Sequence, residues 1–261
     1  MNLYYEVRGS GPVLLIAQSG EGDAGRSADL VDQLTGEYTV VTYDRRGLSR
    51  SPAGNPEVTM ADHADDVHRL LTEITHEPAA MLGCSIGAVI GLTLAVRHPG
   101  QVHTLIAHEP VAPWLLPDDE RGHHERELLD IQAIYRTDGL SAAAKEIGKV
   151  LGIDPSNQDT EADVTPQPMT QQRIDNFDFF IRNDFTAIVN DTLGPADLAA
   201  LTDLRIIPVV GRTTPSGIFD YRCAQELATL VGTPLGTFPG GHNGNTTHPK
   251  AYAARVREVL S

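Results

Sequence analysis

Lysine is nearly absent. Of 20 basic residues only three are Lys, and 35 Asp and Glu leave a net charge of −15. So negative a chain repels phosphate backbones and anionic lipid, which argues against nucleic acid and membrane surfaces as partners. Cysteine is scarce too. Cys84 and Cys223 alone build no disulfide framework, so the reducing cytoplasm is the expected compartment. No apolar run approaches the roughly 20 residues of a membrane helix. The start, MNLYYEVRGSG, has neither the basic residues nor the apolar stretch of a signal peptide. What is present suits a globular domain: 41% hydrophobic and 21% charged residues exclude disordered and fibrous classes. At 261 residues one or two domains are expected, burying roughly three-quarters of the unfolded surface.

Strand and helix patterns alternate along most of the chain. Leu3–Val7 alternates and runs into the turn at Gly9–Pro12, and Val13–Ala17 is a continuous apolar run suited to a strand buried on both faces. Further strands are expected at Tyr38–Tyr43, Ala79–Leu82, Val102–Ala107, Ile206–Val210 and Pro234–Phe238. Helices are expected at Arg26–Leu34, Met60–Thr75, Ile86–Arg97, Tyr221–Val231 and Pro249–Leu260. Between about Pro113 and Pro195 the strands stop. That stretch has helical segments near Glu125–Tyr135, Ala142–Val150 and Gln171–Val189, and a polar link from Asp154 to Pro168. The fold class is therefore α/β, a mainly parallel sheet with helices on both faces. Residues 1–112 and 196–261 form the core, with 113–195 inserted as a helical cap above the strand ends, where such sheets place their sites.

Gly83-Cys84-Ser85-Ile86-Gly87 carries the sharpest chemical signal. It is a G-x-S-x-G between a buried strand and a helix, where the tight turn needs small neighbours and holds the Ser hydroxyl exposed. A serine needs a base. His242, in a glycine-rich loop just after the last strand, lies at the same sheet edge. The other histidines fit worse. His248 opens the terminal helix as a capping or surface residue, and His123 and His124 sit in the charge run Asp118–Glu127 without an H-E-x-x-H pattern. His63 and His68 share a helix with Asp62, Asp65 and Asp66, a weak metal pattern, and no metal or cofactor is expected.

The third member of a triad is a carboxylate that orients the imidazole. With Ser85, His242, the loop Gly20–Gly22 and the segment Tyr43–Ser51 in view, the chain resembles an α/β-hydrolase over essentially its whole length. Most members of that superfamily place an Asp shortly after the strand that here is Ile206–Val210. This chain has Gly211-Arg212-Thr213-Thr214-Pro215-Ser216-Gly217 there and no carboxylate until Asp220, expected beside the next helix. Glu109, in Ala107-His108-Glu109-Pro110, ends a strand expected about 4.8 Å from that of Ser85, so it faces the same crevice. The arrangement is similar to the zearalenone-lactonase group, whose acid is a Glu in a similar His-Glu motif. Glu109 is the favoured acid, with Asp220 and a purely structural Glu109 as the alternatives. The amide of Ile86, first in its helix, suits an oxyanion hole. The resemblance adds the amide of Gly20, and Ser19 as a polar contact.

Gly20-Glu21-Gly22-Asp23-Ala24-Gly25 also fits a dinucleotide fingerprint with Asp44 downstream. It is a poor one, because Glu21 and Asp23 would set carboxylates beside a pyrophosphate. In the insertion, Phe177, Phe179, Phe180 and Phe185 cluster, and the only Trp is Trp114. Such a cluster can be core or can line an apolar pocket, with Trp114, Phe177 and Phe180 as lining candidates. The expected activity is hydrolysis of a neutral, hydrophobic ester or lactone through an acyl-enzyme. A carbon–carbon bond hydrolase or cofactor-free perhydrolase would use the same residues, and a non-catalytic receptor for a small ligand is the binding alternative.

Overall fold

A computed structural model describes residues 2–54, 57–154 and 158–261. Seven strands form one sheet: β1 (Tyr5–Gly9), β2 (Val13–Ala17), β3 (Thr39–Tyr43), β4 (Ala79–Cys84), β5 (Val102–His108), β6 (Arg205–Gly211) and β7 (Gly236–Phe238). Their spatial order is β1-β3-β2-β4-β5-β6-β7, with β1 antiparallel to β3 and every other pair parallel. The strand run Val13–Ala17 is apolar throughout because both faces are covered. Leu15 and Ala17 join one core cluster, Leu14 and Ile16 the other.

On the second face, α1 (Ala28–Leu34) packs against α11 (Pro249–Leu260), with Leu30, Leu34, Tyr252 and Val256 fully buried. The first face carries α2 (Met60–Ile74), α3 (Ile86–Arg97) and α9 (Phe219–Val231). The N-terminus of α2 is fixed by a capping box, Thr59 accepting from the Asp62 N–H and Asp62 from the Thr59 N–H. α3 is apolar all round, as befits a helix buried along its length.

Between β5 and β6 the chain is helical: a 3₁₀ turn at Pro113–Leu115, then α4 (Asp118–Asp138), α5 (Leu140–Val150), α6 (Gln171–Phe179), a π-helical turn at Phe180–Asp184, α7 (Phe185–Val189) and α8 (Pro195–Ala199). The single helix expected over Gln171–Val189 thus contains a π-turn. The charge run Asp118–Glu127 is the first half of α4, whose acidic first turn suits the helix dipole. Residues 155–157 of the expected polar link lie outside the described residues. A short α10 (Gly244–Thr247), too brief for a periodic signal, follows His242. Among the described residues no helix is long and apolar enough to cross a membrane.

Candidate active site

Ser85 sits between β4 and α3 at φ 58°, ψ −121°, a conformation a non-glycine residue rarely holds. The glycines around it explain how the turn closes. A Cβ on Gly83 would run into the backbone of Gly87 and Ala88, and one on Gly87 into the Ala17 carbonyl. The Ser85 N–H donates to the His108 carbonyl at 2.8 Å, which ties the turn to β5. Cys84 pairs with His108 across the sheet, so Ser85 and Glu109 are the next residues along two neighbouring strands.

Glu109 also has positive φ, 46°, which ends β5 and redirects the chain. Its N–H donates to Val209 at 3.0 Å. The carboxylate is fully buried and held at both oxygens. Oε1 accepts from the Gly211 N–H at 2.7 Å, and Oε2 meets His242 Nδ1 at 2.8 Å. Gly211 itself lies so close to Gly241 that a Cβ there would overlap its backbone, which brings the His242 loop against the end of β6. Ser85 and His242 are both buried, 3% and 5% exposed.

Asp220 lies at the start of the next helix, as expected, and also reaches His242. It lies in the first turn of α9, fully buried, and its Oδ2 forms an ion pair with the same His242 Nδ1 that Glu109 holds. The atoms of Glu109, Asp220 and His242 lie within 4.8 Å of one another. The sequence showed an acidic residue at a helix start, but not that this turn aims at a loop 22 residues away. Burial and the charge of Glu109 push the Asp220 carboxyl up to about 7. Burial also opposes ionisation of Glu109, yet the hydrogen bond from His242 and the fields of His108 and His242 hold it below the usual carboxylate range. For His242, burial disfavours the charged ring, but Asp220 and then Glu109 outweigh it and raise it to about 10.

The loop after β2 reaches this edge as well. Gly20 is buried, and a Cβ there would overlap the Phe180 ring. The Gly20 carbonyl accepts from Arg45, whose guanidinium also donates to Asp184 at 2.7 Å; Asp184 in turn bonds His63 Nε2 at 3.0 Å. Arg45, Asp184 and His63 are all buried, so one polar network joins the π-turn, the Gly20 loop and α2. As the first residue of α3, Ile86 has one of the N–H groups that lack a partner within the helix.

The remaining candidates have contacts of their own. The Ser19 carbonyl closes a turn onto the Gly22 N–H at 2.9 Å. Trp114 is buried in the core cluster, and Phe177 packs half-buried against it. Phe180 meets Phe185 edge-on at 4.9 Å between centroids. Glu21 pairs with Arg173 of α6 at 2.7 Å, and Asp44 accepts from the Ala24 N–H and from Arg50. Glu21 of the dinucleotide-like motif and the downstream Asp44 are therefore engaged in holding loops together.

The acids and histidines of α2 are taken up by basic and aromatic neighbours: Asp66 takes Arg46 and Arg69, Asp65 takes Arg97 and His98, and His68 stacks on His98. They form no common ligand set. His124 is half-buried, stacked on Phe219 and bonded to Glu127. His248 is no surface residue: it is buried, and its Nδ1 bonds the Thr247 hydroxyl at 2.9 Å.

The sequence model described as alpha/beta hydrolase fold matches residues 12–137. An uncharacterized hydrolase of Bacillus subtilis strain 168, YraK, is 36% identical, covering 99% of this chain and 92% of that protein. A zearalenone hydrolase of Cladophialophora bantiana is 26% identical over 99% of this chain and 92% of its own. The solved enol-lactonase of Burkholderia xenovorans LB400 superposes with a TM-score of 0.72 at 20% identity, covering 99% of this chain and 96% of the other. With a full-length relative at that identity and a seven-stranded sheet in this order, the chain belongs to the α/β-hydrolase superfamily.

Proposed function

We propose that the protein is a serine hydrolase that cleaves a neutral, hydrophobic carboxylic ester or lactone through an acyl-enzyme. The observation that carries this reading is Ser85, held at positive φ on the turn between β4 and α3, one strand away along the sheet edge from a carboxylate bonded to His242. Strain of this kind persists only where the surroundings enforce it, and it fits a nucleophile held out for attack. The 26% identity with a zearalenone hydrolase supports an ester or lactone substrate.

In this mechanism the Ser85 oxygen attacks the carbonyl carbon while His242 Nε2 takes its proton. Glu109 holds the Nδ1 proton and stabilises the imidazolium that forms. The amides of Ile86 and Gly20 take the developing oxyanion. His242 then returns the proton to the leaving alcohol, and a water deprotonated by His242 releases the acid and frees Ser85. Residues 113–195 act as a cap over residues 1–112 and 196–261, with Phe180 as its apolar contact beside Gly20. The mechanism requires neither metal nor cofactor.

Reaction with a fluorophosphonate tests the reading. The wild-type protein is labelled, Ser85→Ala is not, and a panel of aryl esters, lactones and β-diketones is turned over only by the former. Equal labelling of both proteins sinks the proposal. Turnover of β-diketones alone moves the chemistry to carbon–carbon bonds.

A further inference from the structure

We propose that Asp220 and Glu109 share one proton and act together as a paired acid on His242, the pair carrying a single negative charge while the imidazole is free to act as a base. The inference rests on the triad reading above and concerns how its histidine is set. Asp220 is a positioning residue: it acts through His242.

The geometry leaves little choice. Two buried carboxylates converge on one nitrogen, which has one proton to donate. Glu109 has its second oxygen satisfied by the Gly211 N–H at 2.7 Å, whereas Asp220 Oδ1 receives the longer bond from the Tyr221 N–H at 3.2 Å. Glu109 is thus the better-solvated anion, and Asp220 the better place for an extra proton. Two carboxylates this close cannot both remain charged without an added cation or proton. With both ionised, the ring is imidazolium and cannot accept the Ser85 proton. With Asp220 protonated, His242 faces one charge and its Nε2 is free. The number of protons on the three groups is the same in both arrangements; only their location differs.

The buried titratable groups around the cluster are shifted away from neutrality by their burial. His108 on β5, its Nε2 3.9 Å from Glu109, is pushed down to about 4 by burial. Burial raises the Cys84 thiol of β4 to about 12, and Tyr252 of α11 and Cys223 of α9 well above their usual values. Arg222 of α9 is paired with Glu120 and Glu226. His124 of α4 stacks on Phe219, beside Asp220, and His124→Gln serves as the control for this neighbouring ring.

Coupled groups titrate in shared steps. The His242 ring, followed by nitrogen NMR of ¹⁵N-histidine protein and assigned with His242→Gln, should lose its proton in two steps in the wild type and His124→Gln. In Asp220→Asn, or in Asp220→Ser should the first fail to fold, one step of ordinary steepness remains. Turnover of an aryl ester against pH should show the same broad and narrow acidic limbs. Because Asp220 can take the charge when Glu109 is lost, Glu109→Gln should keep at least tenfold more activity than Glu109→Gln/Asp220→Asn. The double variant should approach the roughly 10⁴-fold loss seen when a triad acid is neutralised.

Superimposable titrations of wild type and Asp220→Asn overturn the pairing, as does a double variant no worse than Glu109→Gln. Stoichiometric divalent metal in the purified protein also overturns it, placing a cation where the proton is assigned. A two-step ring titration in a protein that neither reacts with fluorophosphonate nor turns over esters leaves the pairing standing and removes the hydrolase reading instead.

Discussion

The ring of Phe180 lies directly on Gly20, closing the space where any side chain at position 20 would stand. The contact joins the π-turn of the helical insertion to the loop whose amide we propose for the oxyanion.

Gly20→Ala should therefore destabilise by about 1–3 kcal/mol through overpacking. In a Phe180→Ala background the same change should cost far less, because the clashing ring is gone. A double-mutant cycle by urea denaturation measures the difference. Equal costs in both backgrounds would show that Gly20 matters for some other reason.

Phe180→Ala is also expected to lower turnover of bulky apolar esters more than of acetyl esters, with a difference of a few kcal/mol at most. A uniform loss across ester sizes, accompanied by a lowered Tm, would instead assign Phe180 to packing alone.

Asp184→Asn should destabilise strongly. It removes the charge facing buried Arg45 and leaves that guanidinium uncompensated, a loss of about 3–5 kcal/mol. Replacing both residues, as Arg45→Met/Asp184→Leu, should recover much of it. Denaturation midpoints of the two variants provide the check, and a double variant weaker than Asp184→Asn would contradict the charge argument.

Acid should destabilise the fold through its buried neutral histidines. His108 is pushed by burial to about 4, below the unfolded value near 6.5, and burial lowers His63 likewise. Below about 6.5 the unfolded chain binds protons that the folded one does not. This contribution is thus complete above 6.5 and lost as pH falls towards 4, about 3 kcal/mol for His108. His108→Asn keeps a partner for the Tyr252 hydroxyl, bonded at 2.6 Å, while removing the titration. Its Tm should fall less steeply between pH 6.5 and 4 than that of the wild type; parallel curves would sink the assignment.

The sheet and the serine turn were legible because their signals are local. Val13–Ala17 is apolar at every position because both faces are buried, and Ile86–Arg97 was readable to the residue from its apolar start and the Pro99 beyond its end. Gly83 and Gly87 marked a turn that admits no side chain. Asp184 gave no such signal. An acidic residue in a helix usually faces water, and only the packing of the π-turn against Arg45 and His63 buries it.

By itself the sequence determined the alternation of strands and helices, the serine on its tight turn, and the place of Glu109 at the end of the strand beside it. These follow from short-range patterns and from the adjacency of consecutive parallel strands, which fixes neighbours without knowing the loops. Only the tertiary structure decided that Asp220 joins them. The first turn of α9 is placed by how that helix packs on the sheet, and the His242 loop by the contact of Gly211 with Gly241, relations between distant segments that no local pattern encodes.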